Sequence, residues 1–84
     1  MDIMKFITSK HRAINLATIN AISISNNYLE LTTESGQNAR EIRFIYGTDA
    51  ELEKLFDAIM VFANDNATSV FDCDKFMETI APKF

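Results

Sequence analysis

The 84-residue chain has 12 acidic and 8 basic residues, a formal net charge of −4, and 48% hydrophobic residues. This hydrophobic content and the seven phenylalanines argue against a disordered chain, and the length fits one small domain with its own core. The acidic balance argues against a broad surface for nucleic-acid phosphates, because such surfaces need clustered lysine and arginine.

The first quarter of the chain predicts a strand, a turn and a second strand. Residues 3–8 alternate with apolar side chains on both faces, which is typical of a strand near the centre of a sheet or covered on both sides. The polar residues 9–12 predict a hairpin loop, and residues 13–16 predict a short strand. The alternation of apolar and polar residues falls out of register over residues 17–20, which predicts an irregular step or a bulge.

The clearest hairpin follows. Residues 21–25 alternate with isoleucines inward and serines outward, and residues 28–33 return with two inward leucines. The pair Asn26-Asn27 between them tolerates the positive φ angles of a tight two-residue turn.

The last strand of the first half, residues 40–46, follows a polar loop at 34–39. Its alternation predicts one face with Ile42, Phe44 and Tyr46 and an opposite face that carries Ile45. Consecutive strands joined by short links form an antiparallel meander, and its inner face needs a helix to cover it.

A junction at Gly47 leads into the main helix. Glycine can take the backbone angles that a sharp turn requires. Thr48 and Glu51 match the capping box, so we expect the helix to begin at Asp49 and to end near Asn64. Leucine, isoleucine and phenylalanine then recur every three or four residues, which predicts a buried face.

The C-terminal segment leaves two interpretations open. Apolar spacing predicts a short helix over residues 69–81, but the helix could instead start at Asp72 and leave residues 68–71 extended. With either start the tail, which includes Phe71 and Phe84, is too apolar to stay in water, so it must dock on its own sheet or on another molecule.

Together these elements predict a single α+β domain over residues 1–84. It would consist of a four- to five-stranded antiparallel meander over 1–46, a long amphipathic helix over 48–64 packed on one face, and a short C-terminal helix over 69–81.

Residues with catalytic or metal-binding chemistry are few. His11 is the only histidine, and without an orienting partner we expect a solvated loop side chain rather than a general base. Cys73 is the only cysteine and is expected to be a small buried residue. A zinc site would need more ligands, a calcium loop started at Asp65 fails, and two glycines are too few for phosphate-binding loops. We expect no enzyme, metal or cofactor.

The sequence also bears on location. No apolar run approaches the roughly 20 residues that span a bilayer. The first residues have neither the basic start nor the apolar stretch of a signal peptide. We therefore expect a cytoplasmic protein without membrane contact.

The leading hypothesis for function is a protein-interaction module that acts as a homodimer or as a subunit of an assembly. The alternation points Tyr28 and Ile45 away from the helix-covered face, and Val61 is apolar on the outer side of the helix, so these residues could form a contact patch. The contact would be made by that sheet face or by a free edge strand, with the tail swapped or packed across. The candidate partner-binding residues are Tyr28, Arg43, Ile45, Glu53, Asp57, Val61, Phe71 and Phe84.

An acidic inhibitor is the alternative hypothesis. Residues 49–84 hold eight acidic and three basic side chains, so this half of the chain is strongly negative. An inhibitor of the phage or mobile-element type could use these carboxylates to mimic phosphates and block a basic cleft on a target protein. Direct nucleic-acid binding is expected in neither case.

Overall fold

The computed structural model describes residues 4–33, 40–65 and 68–80. The predicted loop at 34–39 and the tail from residue 81, with Phe84, lie outside the described residues. The elements, in chain order, are β1 (Phe6–Ser9), β2 (Arg12–Asn15), a 3-10 turn (Leu16–Thr18), β3 (Ile19–Ser25), β4 (Tyr28–Thr33), β5 (Arg40–Tyr46), α1 (Asp49–Asn64), β6 (Val70–Asp72) and α2 (Cys73–Ile80).

The described strands form two sheets, so the expected single meander of four to five strands is wrong in this respect. One three-stranded sheet has the order β2-β1-β6, with β2 antiparallel and β6 parallel to β1. The other is the antiparallel meander β3-β4-β5. The class, α+β with an antiparallel sheet and a long helix, is confirmed.

The 3-10 turn separates the two sheets. The side chain of Asn15 accepts a hydrogen bond from the backbone N–H of Ala17 at 2.9 Å, which fixes the turn. The backbone N–H of Leu16 donates to the carbonyl of Lys5 at 2.9 Å, after which the chain leaves the first sheet. The irregular step predicted over residues 17–20 is therefore the passage from one sheet to the other, and it ends in a bulge at Asn20.

The β3–β4 hairpin has the predicted geometry. Asn26 and Asn27 have φ angles of 54° and 65°, the positive values required at both central positions of a type I′ turn. Leu29 and Leu31 are fully buried on the inner face, and α1 lies over β3 and β4 on that side.

Helix α1 begins as expected. The N–H of Glu51 donates to Thr48 Oγ1 at 3.2 Å, and the N–H of Thr48 donates to Glu51 Oε1 at 3.0 Å. The bond from the Thr48 N–H and then a bond that Thr48 Oγ1 donates to the same Oε1 at 2.9 Å lower the pKa of the Glu51 carboxyl group. The buried face of the helix consists of Leu52, Leu55, Ile59 and Phe62.

Gly47 is needed for space rather than for its backbone angles. Its φ lies outside the left-handed region, so the turn does not use the conformational freedom that the sequence suggested. An added Cβ would instead lie 3.1 Å from the Met77 methyl group and 3.4 Å from a methyl group of Leu52. The junction is therefore a close contact between the end of β5 and α2.

The C-terminal segment is extended before it becomes helical, so a helix starting at residue 69 is wrong. Residues 70–72 form β6 because β1 offers a free neighbour; the N–H of Phe6 also donates to the carbonyl of Ser69 at 2.9 Å. Asp72 then caps α2 by accepting from the N–H of Lys75 at 3.1 Å. The helix packs on β1 and on α1.

One core joins these layers. Ile7 of β1, the buried face of α1, the inner face of the second sheet and Cys73 belong to a single buried cluster. Burial raises the pKa of the Cys73 thiol to about 12, and the neighbouring carboxylates of Asp74 and Asp72 add to this effect. Cys73 is thus buried, as the sequence led us to expect.

Candidate protein-interaction site

The outer face of the β3-β4-β5 sheet carries an aromatic pair. The rings of Tyr28 and Tyr46 lie 5.2 Å apart in an edge-to-face arrangement, and the Arg43 guanidinium lies 5.2 Å from the Tyr28 ring. Tyr46 is 67% exposed. The structure therefore brings together two of the candidate residues, Tyr28 and Arg43, and adds Tyr46, which the alternation had placed on the inner face.

A bulge in β5 explains this difference and corrects the expectation for Ile45. Leu29 pairs with Ile45 and Glu30 pairs with Arg43, so Phe44 is an extra residue in β5. One extra residue in a strand moves the side chains beyond it to the opposite face of the sheet. Ile45 is consequently buried, with 7% of its surface exposed, and cannot be a contact residue.

The bulge also tethers the first sheet to the second. Phe44 is buried, and its carbonyl accepts a hydrogen bond from Arg12 Nη2 at 2.9 Å. The same guanidinium lies 5.0 Å from the Phe44 ring, within cation–π range. Arg12 therefore satisfies a backbone group on the outer edge of β5.

The remaining candidates do not form one patch. Glu53 and Asp57 are exposed on α1, and Val61 is 71% exposed on the outer side of this helix. Tyr28 lies on the outer face of the sheet, so the sheet and α1 separate it from Val61. Phe71 is half-buried, 5.6 Å from the ring of Phe62, so this part of the tail docks on the protein's own core. Phe84 lies outside the described residues.

Several carboxylates of the acidic half have partners within the chain. Glu51 belongs to the cap of α1, and Asp72 caps α2. Asp74 accepts hydrogen bonds from Ser9 Oγ at 2.8 Å and from the backbone N–H of Lys10. These groups hold helices and a turn in place, which leaves fewer carboxylates to imitate a row of phosphates.

No constellation for catalysis emerges from the described residues. His11 is exposed in the β1–β2 turn. Within residues 4–33, 40–65 and 68–80, no group of three or more histidine, cysteine or acidic side chains could hold a metal ion. A cavity of about 390 Å³ lies between this turn, β5 and α2. Of the two carboxylates of the described residues that line it, from Asp74 and Glu78, that of Asp74 is already bonded to Ser9 and Lys10.

A second cavity, of about 310 Å³, lies between β3 and α1 and is of a different kind. We call it the β3 groove. No charged side chain is among the described residues that line it, and its apolar walls are formed by Leu16, Ile19, Ile22, Phe56, Met60 and Ala63. Sequence reasoning missed this site, although one signal was present: residues 13–29 contain no charged side chain.

Strand β3 borders this groove and is an edge of its sheet. Among the described residues it pairs on one side only, with β4. Exposed edge strands are normally protected by charges or proline, because their free backbone groups can pair with another chain. Residues 19–25 contain neither, and the bulge at Asn20 is the only irregularity in their pairing with β4.

Comparisons of the chain with protein-family models, with curated proteins and with solved structures returned no significant match. In the part of the chain that the structure describes, neither helix is long and apolar enough to cross a membrane. Function is therefore inferred from the geometry of this chain alone.

Proposed function

We propose that the protein is a non-enzymatic interaction module of the cytoplasm that acts as a homodimer, with the β3 groove and strand β3 as its contact surface. The observation that carries the proposal is an uncharged, apolar surface beside an unprotected strand edge. In a chain with 24% charged residues, an apolar surface and a strand edge that both lack charge are expected to be covered by a partner.

Charge favours a second copy as the partner. Each chain carries a net charge of −4, so two copies repel when their acidic surfaces meet. The β3 groove and strand β3 are free of charge, and like chains can meet there without this cost. A strongly basic target would instead require carboxylates at the contact.

Apolar burial would supply the binding energy. Phe56 and Ile22 are half-buried at the groove and Met60 is exposed, so each has apolar surface left to bury. Burial is worth about 25 cal/mol per Å² of apolar area, before the cost of association is subtracted. We prefer this contact to the acidic-inhibitor hypothesis because Glu51, Asp72 and Asp74 are engaged within the chain.

The location in the cytoplasm is part of the proposal. The single cysteine, Cys73, is a buried free thiol, which is compatible with a reducing compartment.

Size-exclusion chromatography with light scattering tests the dimer. We expect the mass to rise from that of one chain to that of two between micromolar and millimolar concentration. Met60→Glu places a charge in the groove and should weaken association at least about a hundredfold, or about 2.8 kcal/mol. Val61→Glu, the next residue on α1 but on its outer side, is the matched control and should leave association unchanged.

Two results would contradict the proposal. A strictly monomeric mass over the whole range would remove the homodimer. Dissociation by Val61→Glu with no effect of Met60→Glu would move the contact to the outer side of α1. Circular dichroism of both variants verifies that the fold is retained.

A further inference from the structure

We infer that two copies join through antiparallel pairing of strand β3 with strand β3, with the twofold axis at Ser23. This inference rests on the proposed homodimer and specifies how it is built. The two β3-β4-β5 sheets would become one continuous sheet across the interface.

A hydrogen bond between the end of β5 and the start of β4 shows which way the backbone groups of β4, and then those of β3, are directed. The N–H of Gly47 donates to the carbonyl of Asn27 at 2.9 Å, so this carbonyl points toward β5. The C=O and N–H groups of one planar trans peptide point in opposite directions, so the N–H of Tyr28 points toward β3. The backbone groups of its pairing partner Ser25 then point back toward β4. Successive residues of a strand alternate in direction.

The same alternation continues along β3. Ser25, Ser23 and Ala21 direct their N–H and C=O groups toward β4, where they pair with Tyr28, Glu30 and Thr32. Ile24 and Ile22 must then direct theirs toward the free edge. No other strand of the described residues pairs with this side, so these two isoleucines present the open donors and acceptors of the edge, between the bulge at Asn20 and the turn.

Only one symmetric register uses both isoleucines. An axis at Ser23 places Ile22 opposite Ile24 of the second copy, and both such pairs can exchange their N–H···O=C bonds. An axis at Ile22 would pair Ile24 with the bulged Asn20, and an axis at Ile24 would pair Ile22 with Asn26 in the turn. An axis between two residues would pair inward with outward side chains.

The side chains fit this register on both faces. Ile22 and Ile24 of the two copies would form an apolar row on the inner face, next to the β3 groove. Ser23 of one copy would face Ser23 of the other on the outer face, where its small side chain allows close approach. Ser25 would lie opposite Ala21. No charged side chain lies on β3 to oppose the contact.

Cysteine crosslinking tests the register. At Ser23 the two Cβ atoms would be about 4.5–5.5 Å apart, within reach of a disulfide after a small adjustment. Two Ser25 residues would be separated by about 14 Å along the strands, which no disulfide spans. Ser23→Cys should therefore form a crosslinked dimer under mild oxidation at least tenfold more than the matched control Ser25→Cys. Wild-type protein, with only the buried Cys73, should form none.

A second variant keeps the test independent of oxidation. Ser23→Lys would place two ammonium groups across the axis and should raise the dissociation constant at least about tenfold, whereas Ser69→Lys, at an exposed position before β6, should not.

The outcomes separate this inference from the proposed function. Equal crosslinking of the two cysteine variants, or dimers unaffected by Ser23→Lys, would overturn the β3 register while the homodimer stands. A monomeric mass of the wild-type protein at every concentration, with no crosslinking at Ser23→Cys, would overturn both.

Discussion

Replacing Lys5 with methionine should destabilise the protein by about 1–2 kcal/mol. Lys5 Nζ donates hydrogen bonds to the carbonyls of Phe62 and Asp65 at the end of α1, and it lies 4.7 Å from the Phe62 ring centroid. A hydrogen bond with a charged partner contributes about 1.5–3 kcal/mol and a cation–π contact about 0.5–1 kcal/mol. Because Lys5 is half-buried, solvent screens part of these interaction energies. In the variant, water can also take the place of the ammonium group at the two carbonyls.

Urea unfolding followed by helix circular dichroism measures this loss, at a fixed protein concentration because the proposed association would also stabilise the fold. With a slope of about 1 kcal/mol per M, the midpoint should fall by about 1–2 M at unchanged slope. Lys75→Met, at an exposed position of α2, is the control and should stay within about 0.5 kcal/mol of wild type. A Lys5→Met shift no larger than that of the control would refute the capping role.

Three further predictions follow from single groups. The backbone hydrogen bond from Thr48 holds the pKa of Glu51 below its ordinary 4.5, so its stabilisation is present above pH 4.5 and lost as the pH falls through the lowered value. Glu51→Gln should therefore make stability depend less steeply on pH in acid, as pH-dependent urea midpoints would show. With a pKa of about 12, Cys73 should react with a thiol reagent at pH 8 about a thousand times more slowly in the native than in the unfolded protein. At Gly47, valine should cost about 1–3 kcal/mol by crowding Met77, while alanine should cost less in the same unfolding assay; equal losses would indicate a backbone requirement instead.

Local signals in the sequence were sufficient for α1 and for the β3–β4 hairpin. Two signals are local: the capping box of Thr48 and Glu51, and the turn residues Asn26-Asn27. Each affects only the backbone a few residues away, so its effect does not depend on the rest of the fold. The start and end of α1 could therefore be predicted from the sequence.

Contacts between distant residues could not be predicted in this way. The pairing of β6 with β1 joins segments more than 60 residues apart, and it competes with a helical pattern that residues 69–72 also satisfy. The bulge at Phe44 shows itself only in the pairing of β5 with β4, and the Phe44 carbonyl accepts a hydrogen bond from Arg12 of the other sheet. The bulge reversed the expected orientation of Ile45 and Tyr46.

The candidate site depended on the same kind of information. The uncharged run over residues 13–29 is visible in the sequence, but it marks a surface only once β3 is known to be an edge. The edge position of β3 is read from the order of the described strands, which the chain enters after leaving the first sheet at the 3-10 turn of Leu16–Thr18.

Amide hydrogen exchange across strand β3, measured by NMR at low and high protein concentration, tests the central claim most directly. The N–H groups of Ser23 and Ser25 bond to β4 and should be protected at both concentrations. Those of Ile22 and Ile24 should exchange rapidly in the dilute protein and become protected as the concentration rises. If the two isoleucine amides exchange at the same rate at every concentration, strand β3 is not where the copies meet.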